Sequence, residues 1–423
     1  MSNLILTIHK RNSLQWVGEI YCLILLFLPK VVIQATSIYT KITPEEFWYK
    51  YTSFYFSALL IPAIIWAFAI RKRTHAIRFD IVIIGIIVKD IVMLMVAKNS
   101  QVVEYNLSLN LVLISAWSII CIIFYFTNTN NTEFAERFFD NYFVLAIMSQ
   151  FLRMFLSMTT DGRYGAIGLS VGGTGYLTGL FFIYCLYYRD YTRKIKFLMM
   201  LAFLSLILSG QRTNMLFVLI FSIPYIFKEF WKRKLKKNEI SKFQLFWTVA
   251  GFGILLFIII FALKEFGFEI REINFITRVI DAMENFVHGN IYQESSVGGR
   301  ISSIEAGINI IKDNPLGITN NFYDLQYRTL QYMFPTFPHN ALLCCYLLWS
   351  PFFTLFCLLY LIKLLVSTRN TKSGMVWPLL YIVLYNIITG SVFLVYPYLV
   401  VTLFFISLAK CKVDYAHQKG DYK

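Results

Sequence analysis

The stretch LMMLAFLSLILSGQRTNMLFVLIFSIPYIF, residues 198–227, decides the fold class. Two apolar runs flank the short polar break SGQRTN at 209–214. Each run approaches the roughly 20 residues that cross a hydrocarbon core of about 30 Å. Working outward, the same pattern of apolar runs recurs and gives about twelve spans. They lie at 15–36, 51–70, 79–97, 108–127, 140–158, 171–188, 196–211, 213–230, 244–264, 341–363, 375–394 and 397–410. Composition agrees: 57% of the residues are hydrophobic, 15% are charged, and the mean hydropathy is +0.60. A soluble domain carries about 45–50% apolar and about 25% charged residues. Too little polar surface exists to cover a water-soluble body of 49.4 kDa. The expected fold class is an all-α polytopic membrane protein of about 12 transmembrane helices.

A net charge of +15 would suit a nucleic-acid partner, but its location points elsewhere. The basic residues cluster in RKRTHAIR (71–78), RDYTRKIK (189–196) and KEFWKRKLKK (228–237), each just after an apolar run. That is the positive-inside bias, and it sets both termini in the cytoplasm. The seven cysteines lie in apolar segments or the C-terminal stretch, without CxxC or Cys/His ligand spacing, so no disulfide framework is expected. The N-terminal apolar run resembles a signal peptide. The many spans behind it favour an uncleaved first helix.

This topology divides the chain into spans one to nine (1–264), a large outer loop (265–340), spans ten to twelve (341–410) and a cytoplasmic tail (411–423). The loop is about 75 residues long, far beyond an ordinary connection. Within it, FITRVIDAMENFVHG and RISSIEAGINIIKDN read as helices, the latter stopped by NPLG. A folded helical cap is therefore expected. A shorter outer loop is the glycine-rich DGRYGAIGLSVGGTG, 161–175.

Candidate chemistry gathers on the outer side. His339 stands between Pro338 and the tenth span. Imidazole is the usual proton acceptor near neutral pH. The plainer reading is an interfacial residue at a helix N-terminus, where Asn340 is equally suited to cap. Arg212 occupies the turn between spans seven and eight, and Arg300 follows two glycines at the start of a loop helix. A guanidinium beside glycines and a helix N-terminus suits phosphate oxygens, which it can hold bidentately. Alternatively, Arg212 snorkels to the headgroups and Arg300 is a solvated loop charge. Arg153, one turn after Gln150 inside span five, either lines a cavity or pairs with a carboxylate. No Walker A, HExxH, GxSxG or outer DxD motif occurs, so the energy for a reaction must be stored in a membrane-borne substrate.

SGQRTNM at 209–215, GGRISSIEAGINIIKDNPLGI at 298–318 and HNALL at 339–343, with the late outer loop, resemble the O-antigen polymerase (Wzy) and O-antigen ligase superfamily. The resemblance spans mainly 205–350. The Arg-x10-Gly pattern of some polymerases is not met: Thr174 follows Arg163 at that spacing, and Ile311 follows Arg300.

The resemblance implies a GT-C-like glycosyltransferase of the bacterial inner membrane. Its substrate would be an oligosaccharide on undecaprenyl pyrophosphate. Arg212 and Arg300 would bind the pyrophosphate, and His339 would take the acceptor's proton. Arg153, Arg163, Asn340 and Glu305 would contact substrate. No cofactor, metal or nucleic acid is implied, and a protein regulating chain length is an expected partner. A polymerase is favoured over a ligase acting on lipid A core, since the chain is rich in Phe and Tyr. A lipid-linked oligosaccharide flippase is a third reading, suited to the intramembrane charges Lys89, Asp90 and Arg153. It fits less well the gathering of reactive residues outside the membrane.

Overall fold

A computed structural model of the chain describes residues 13–40, 61–71, 80–96, 100–128, 131–155, 164–166, 169, 171–190, 192–235, 295–313, 315–316, 340–371, 373–389 and 396–419. These residues are helical almost throughout. The helices are α1 (Ser13–Thr40), α2 (Ile61–Ile70), α3 (Asp80–Val96), α4 (Ser100–Tyr125), α5 (Glu133–Phe155), α6 (Val171–Tyr187) and α7 (Arg193–Ser209). Then follow α8 (Arg212–Leu235), α9 (Ser295–Asp313), α10 (Ala341–Trp349), α11 (Pro351–Asn370), α12 (Val376–Thr389) and α13 (Tyr396–Lys419).

Named contacts fix which helix ends meet. Tyr385 Oη, late in α12, donates to Gly172 O at the start of α6 at 3.4 Å. Tyr381 Oη donates to Asn214 Oδ1, in the first turn of α8, at 2.6 Å. Asn340 Nδ2, just before α10, donates to Ile387 O at 3.0 Å. One end of the bundle thus gathers the starts of α6, α8 and α10 and the end of α12. The opposite end gathers the start of α5, the end of α6 and the late part of α13, where Glu136, Arg189 and Lys412 meet. The basic stretch 189–196 and Arg212 therefore lie at opposite ends, as a charge-oriented membrane topology requires.

Apolar side chains fill the core and also cover much of the perimeter. Phe139, Phe143, Phe181, Tyr184, Phe404 and Phe405 form an aromatic core between α5, α6 and α13, with Phe143 and Phe181 stacked at 3.6 Å. α13 is buried on all sides from Tyr398 to Ala409, as expected of a helix apolar all round. On the perimeter, α11 exposes Phe352, Leu355, Leu359, Ile362 and Val366, which share one face at helical spacing. Among the described residues, α11 is the one helix long and apolar enough to cross a membrane, and six shorter apolar helical stretches accompany it. This architecture is compatible with a polytopic membrane protein.

Four details depart from the sequence reading. The single run expected at 341–363 is two helices, broken at Ser350. Its φ of 91° and ψ of 154° stop α10, and Pro351 at the first position of α11 starts a new helix. Residues 171–175, read both as the end of a glycine-rich loop and as the start of the span at 171–188, depart from the loop reading and form the first turn of α6. α5 begins at Glu133, before the expected apolar run, because its charged first turns are held by ion pairs. Finally, α13 continues through the expected tail to Lys419. The expected span 244–264 and the helix FITRVIDAMENFVHG lie outside the described residues.

Candidate active site

The α7–α8 turn shows how a short polar break reverses two apolar helices. Gly210 takes the left-handed conformation, φ 60° and ψ 23°, and its N–H closes on Ile207 O at 3.0 Å. A glycine is favoured there because a Cβ is costly at positive φ. Gln211 alone then separates the cap from α8, which begins at Arg212. Arg212 thus sits at a helix N-terminus, where unpaired N–H groups and the positive end of the macrodipole favour an anion.

The segment 164–166 is bound to this turn. Tyr164 N–H donates to Leu208 O at 3.0 Å, and Ala166 N–H donates to Thr174 Oγ1 at 2.8 Å. From α5, Gln150 Nε2 donates to Tyr164 O at 2.7 Å and to Ser205 O at 3.0 Å, while Ser205 Oγ donates to Gln150 Oε1. Gln150 is fully buried and acts as a strut. Arg153 Nη1 donates to Gly165 O at 3.2 Å. Among the described residues no carboxylate pairs with Arg153, so its partner is backbone rather than the anion considered from sequence. Arg163, immediately before this segment, lies outside the described residues.

At α10, Asn340 performs the capping role. Its Oδ1 accepts from Leu343 N–H at 3.0 Å, and its Nδ2 reaches Ile387 O. One half of the amide caps α10 and the other half joins α10 to α12. His339 lies outside the described residues, one position before this cap. α9 packs against α10, and Tyr346 Oη donates to Pro315 O at 2.6 Å, tying the segment after α9 to it. On α9, Arg300 is half-buried and Glu305 exposed. Among the described residues, Arg300 has no ion-pair partner. The structure thus brings the Arg212, Arg153 and Asn340 positions to one end of the bundle, and sets the helix of Arg300 beside α10. Among the described residues, no three His, Cys, Asp or Glu side chains converge as metal ligands.

The cluster at the opposite end was not anticipated. Glu136 accepts from Thr132 Oγ1 at 2.5 Å, from Tyr188 Oη at 2.8 Å and from Arg189 Nη1. Asp140 accepts from Arg189 Nη2 at 3.1 Å and Lys194 Nζ at 3.2 Å. These groups line a cleft of about 610 Å³ with Asn131, Asp190 and Lys412. Burial alone would raise the Glu136 pKa, but the Thr132 hydrogen bond, Arg189, Tyr188 and Lys412 outweigh it and hold the carboxyl below its ordinary range. The available signal was the acid-rich stretch 133–140, with Glu133, Glu136 and Asp140, set against the basic stretch 189–196.

Among the described residues, an all-helical bundle with apolar perimeter stripes and polar helix termini gathered at one end is compatible with the class of helical membrane proteins, with the candidate site at the ends of its helices. Residues 197–347 match the family model described as O-Antigen ligase. That match sets the segment in the O-antigen ligase and polymerase superfamily, whose members are membrane-integral, glycosyltransferase-like enzymes. It runs from early α7 into α10 and takes in Arg212, Arg300, Glu305, His339 and Asn340. No curated protein matches the chain.

Proposed function

We propose that the protein is a polymerase of O-antigen or a related surface polysaccharide, acting at the periplasmic face of the bacterial inner membrane. The observation that carries this reading is the shared location of two helix starts within the matched segment. α8 begins at Arg212, and α10 begins one residue after Asn340, at the same end of the bundle.

In this reading the donor is a glycan on undecaprenyl pyrophosphate and the acceptor a hydroxyl of an incoming lipid-linked repeat unit. The bond between the anomeric carbon and the pyrophosphate oxygen breaks as the acceptor oxygen bonds to that carbon. Arg212 and Arg300 stabilise the charge developing on the leaving pyrophosphate. His339 takes the acceptor's proton. Arg212 at a helix N-terminus adds the field of α8 to its own charge, which supports the anion role. A protein that regulates chain length is the proposed partner. Ligation to lipid A core is the second reading, favoured by the description of the matched family.

Gel analysis of surface polysaccharide in a deletion strain separates the two. Loss of a polymerase leaves a single repeat on the core, and loss of a ligase leaves none. Complementation with His339→Ala, expression verified, should fail to restore long chains. Restoration would remove His339 from the mechanism.

A further inference from the structure

Asn214 belongs to the SGQRTNM motif, yet no step of the proposed reaction uses it. Its side chain is fully buried, and its Oδ1 accepts from Tyr381 Oη at 2.6 Å. The pair is seated on α6. A Cβ at Gly175 would meet Asn214 Nδ2 at 2.6 Å and Gln211 Cβ at 2.9 Å, and one at Gly179 would meet Tyr381 Oη at 2.5 Å. The two glycines of G-Y-L-T-G therefore leave room for the two polar groups, one each. Tyr381 is in turn held between Tyr176 and Tyr385, stacked at 5.9 Å and 5.8 Å, with Phe217 edge-on at 5.7 Å.

Among the described residues, Asn214 Nδ2 has no acceptor. A buried amide with half its capacity unmet costs stability, and an apolar side chain would serve plain helix packing better. The pair holds the first turn of α8 from two sides, α6 and α12, and Arg212 leaves that same turn two residues earlier. A helix gripped by a directional hydrogen bond cannot rotate about its axis as one gripped by apolar contacts can.

We propose that Asn214, clamped by Tyr381 on the Gly175–Gly179 seat, is the positioning residue that fixes the rotation of α8 and so aims Arg212. The consequence for catalysis rests on the glycosyl-transfer reading above; the clamp itself does not.

Two measurements on the full chain in lipid nanodiscs test it. The first follows transfer from undecaprenyl-pyrophosphate-linked oligosaccharide. Tyr381→Phe keeps the ring stack and removes only the hydroxyl. It should lower kcat about tenfold or more, in line with the roughly hundredfold cost of misplacing a group by about 1 Å, with the donor KM changed less. Asn214→Ala should do the same, and the double variant should lose no more than either single one. In an Arg212→Ala background, Tyr381→Phe should have no further effect. Multiplying losses would show a merely structural contact and overturn the proposal. The second measurement needs no turnover: the rate at which a membrane-impermeant maleimide labels Arg212→Cys, with and without Tyr381→Phe. A rate changed about threefold or more supports the clamp, because side-chain direction follows helix rotation. Equal rates overturn it. If the wild-type chain transfers no glycan, the polymerase reading fails, and the labelling rates still decide whether the clamp exists.

Discussion

Tyr164 and Leu208 share a backbone hydrogen bond of 3.0 Å, which ties the segment between α5 and α6 to the last turn of α7. Because Gly210 and Arg212 follow directly, whatever steadies residue 164 also steadies the start of α8. Gln150 is the side chain best placed to do so. Gln150→Ala leaves Tyr164 O and Ser205 O without its donor and should destabilise the protein by about 2–3 kcal/mol. Thermal unfolding in detergent measures this, and an unchanged Tm would show that the strut carries no weight.

Two helical glycines should respond oppositely to alanine. A Cβ at Gly173 would run into the Tyr398 ring between α6 and α13, whereas one at Gly85 in α3 meets nothing within 4 Å. Gly173→Ala should cost about 1–3 kcal/mol by overpacking. Gly85→Ala should be neutral or stabilise by about 0.5–1 kcal/mol through lost chain entropy. Matched melting curves of the two variants check this, and a stable Gly173→Ala would refute the close approach.

The Glu136 cluster predicts acid sensitivity of one sign. Its folded pKa is depressed, so the stability it contributes is present above its ordinary pKa of about 4.5 and is lost as pH falls through the lower folded value. Arg189, Lys194, Lys412, Thr132, Tyr188 and Asp140 surround it. Wild-type Tm should fall between about pH 5 and pH 3, and Glu136→Gln should melt about 2–5 °C lower at pH 7 with a flatter acid limb. Parallel curves for the two proteins would contradict it.

Ser350 carries a backbone conformation, φ 91° and ψ 154°, that glycine adopts far more readily. Its hydroxyl accepts from Phe353 N–H at a long 3.5 Å, so little capping energy is lost with it. Ser350→Gly should hold or raise Tm by a few degrees, and Ser350→Val should lower it. A large drop in the glycine variant would mean the break is not strained.

Arginine chemistry at the helix start has its own test. Arg212→Lys keeps a point charge and loses the planar fork, so transfer should fall about ten- to hundredfold while expression persists. The same change at Arg300 should behave alike if both hold the pyrophosphate. Wild-type activity in both would move the anion site elsewhere.

Reading the sequence located most apolar helices because hydropathy is a local property of the chain. Val171–Tyr187 and Val376–Thr389 fall within a few residues of the expected runs. The reading was weaker wherever a distant partner decides. The charged residues 133–139 precede the apolar run at 140–158, and their helical turns are held by Arg189, some fifty positions away. On sequence Asn340 suits a helix cap, which the bond to Leu343 N–H makes locally, but its second bond, to Ile387 O on another helix, depends on a distant partner.

The sequence alone determined the helical class, the likeness to the ligase and polymerase superfamily, and the separation of basic clusters from Arg212. Each of these follows from composition, motif or order along the chain. Tertiary structure alone decided that Gln150 is a strut and that Gly175 and Gly179 seat Asn214 and Tyr381. It also decided that the starts of α6, α8 and α10 share one end of the bundle. Those facts depend on contacts between residues far apart in the chain, where a side chain's role is set by the atoms that meet it.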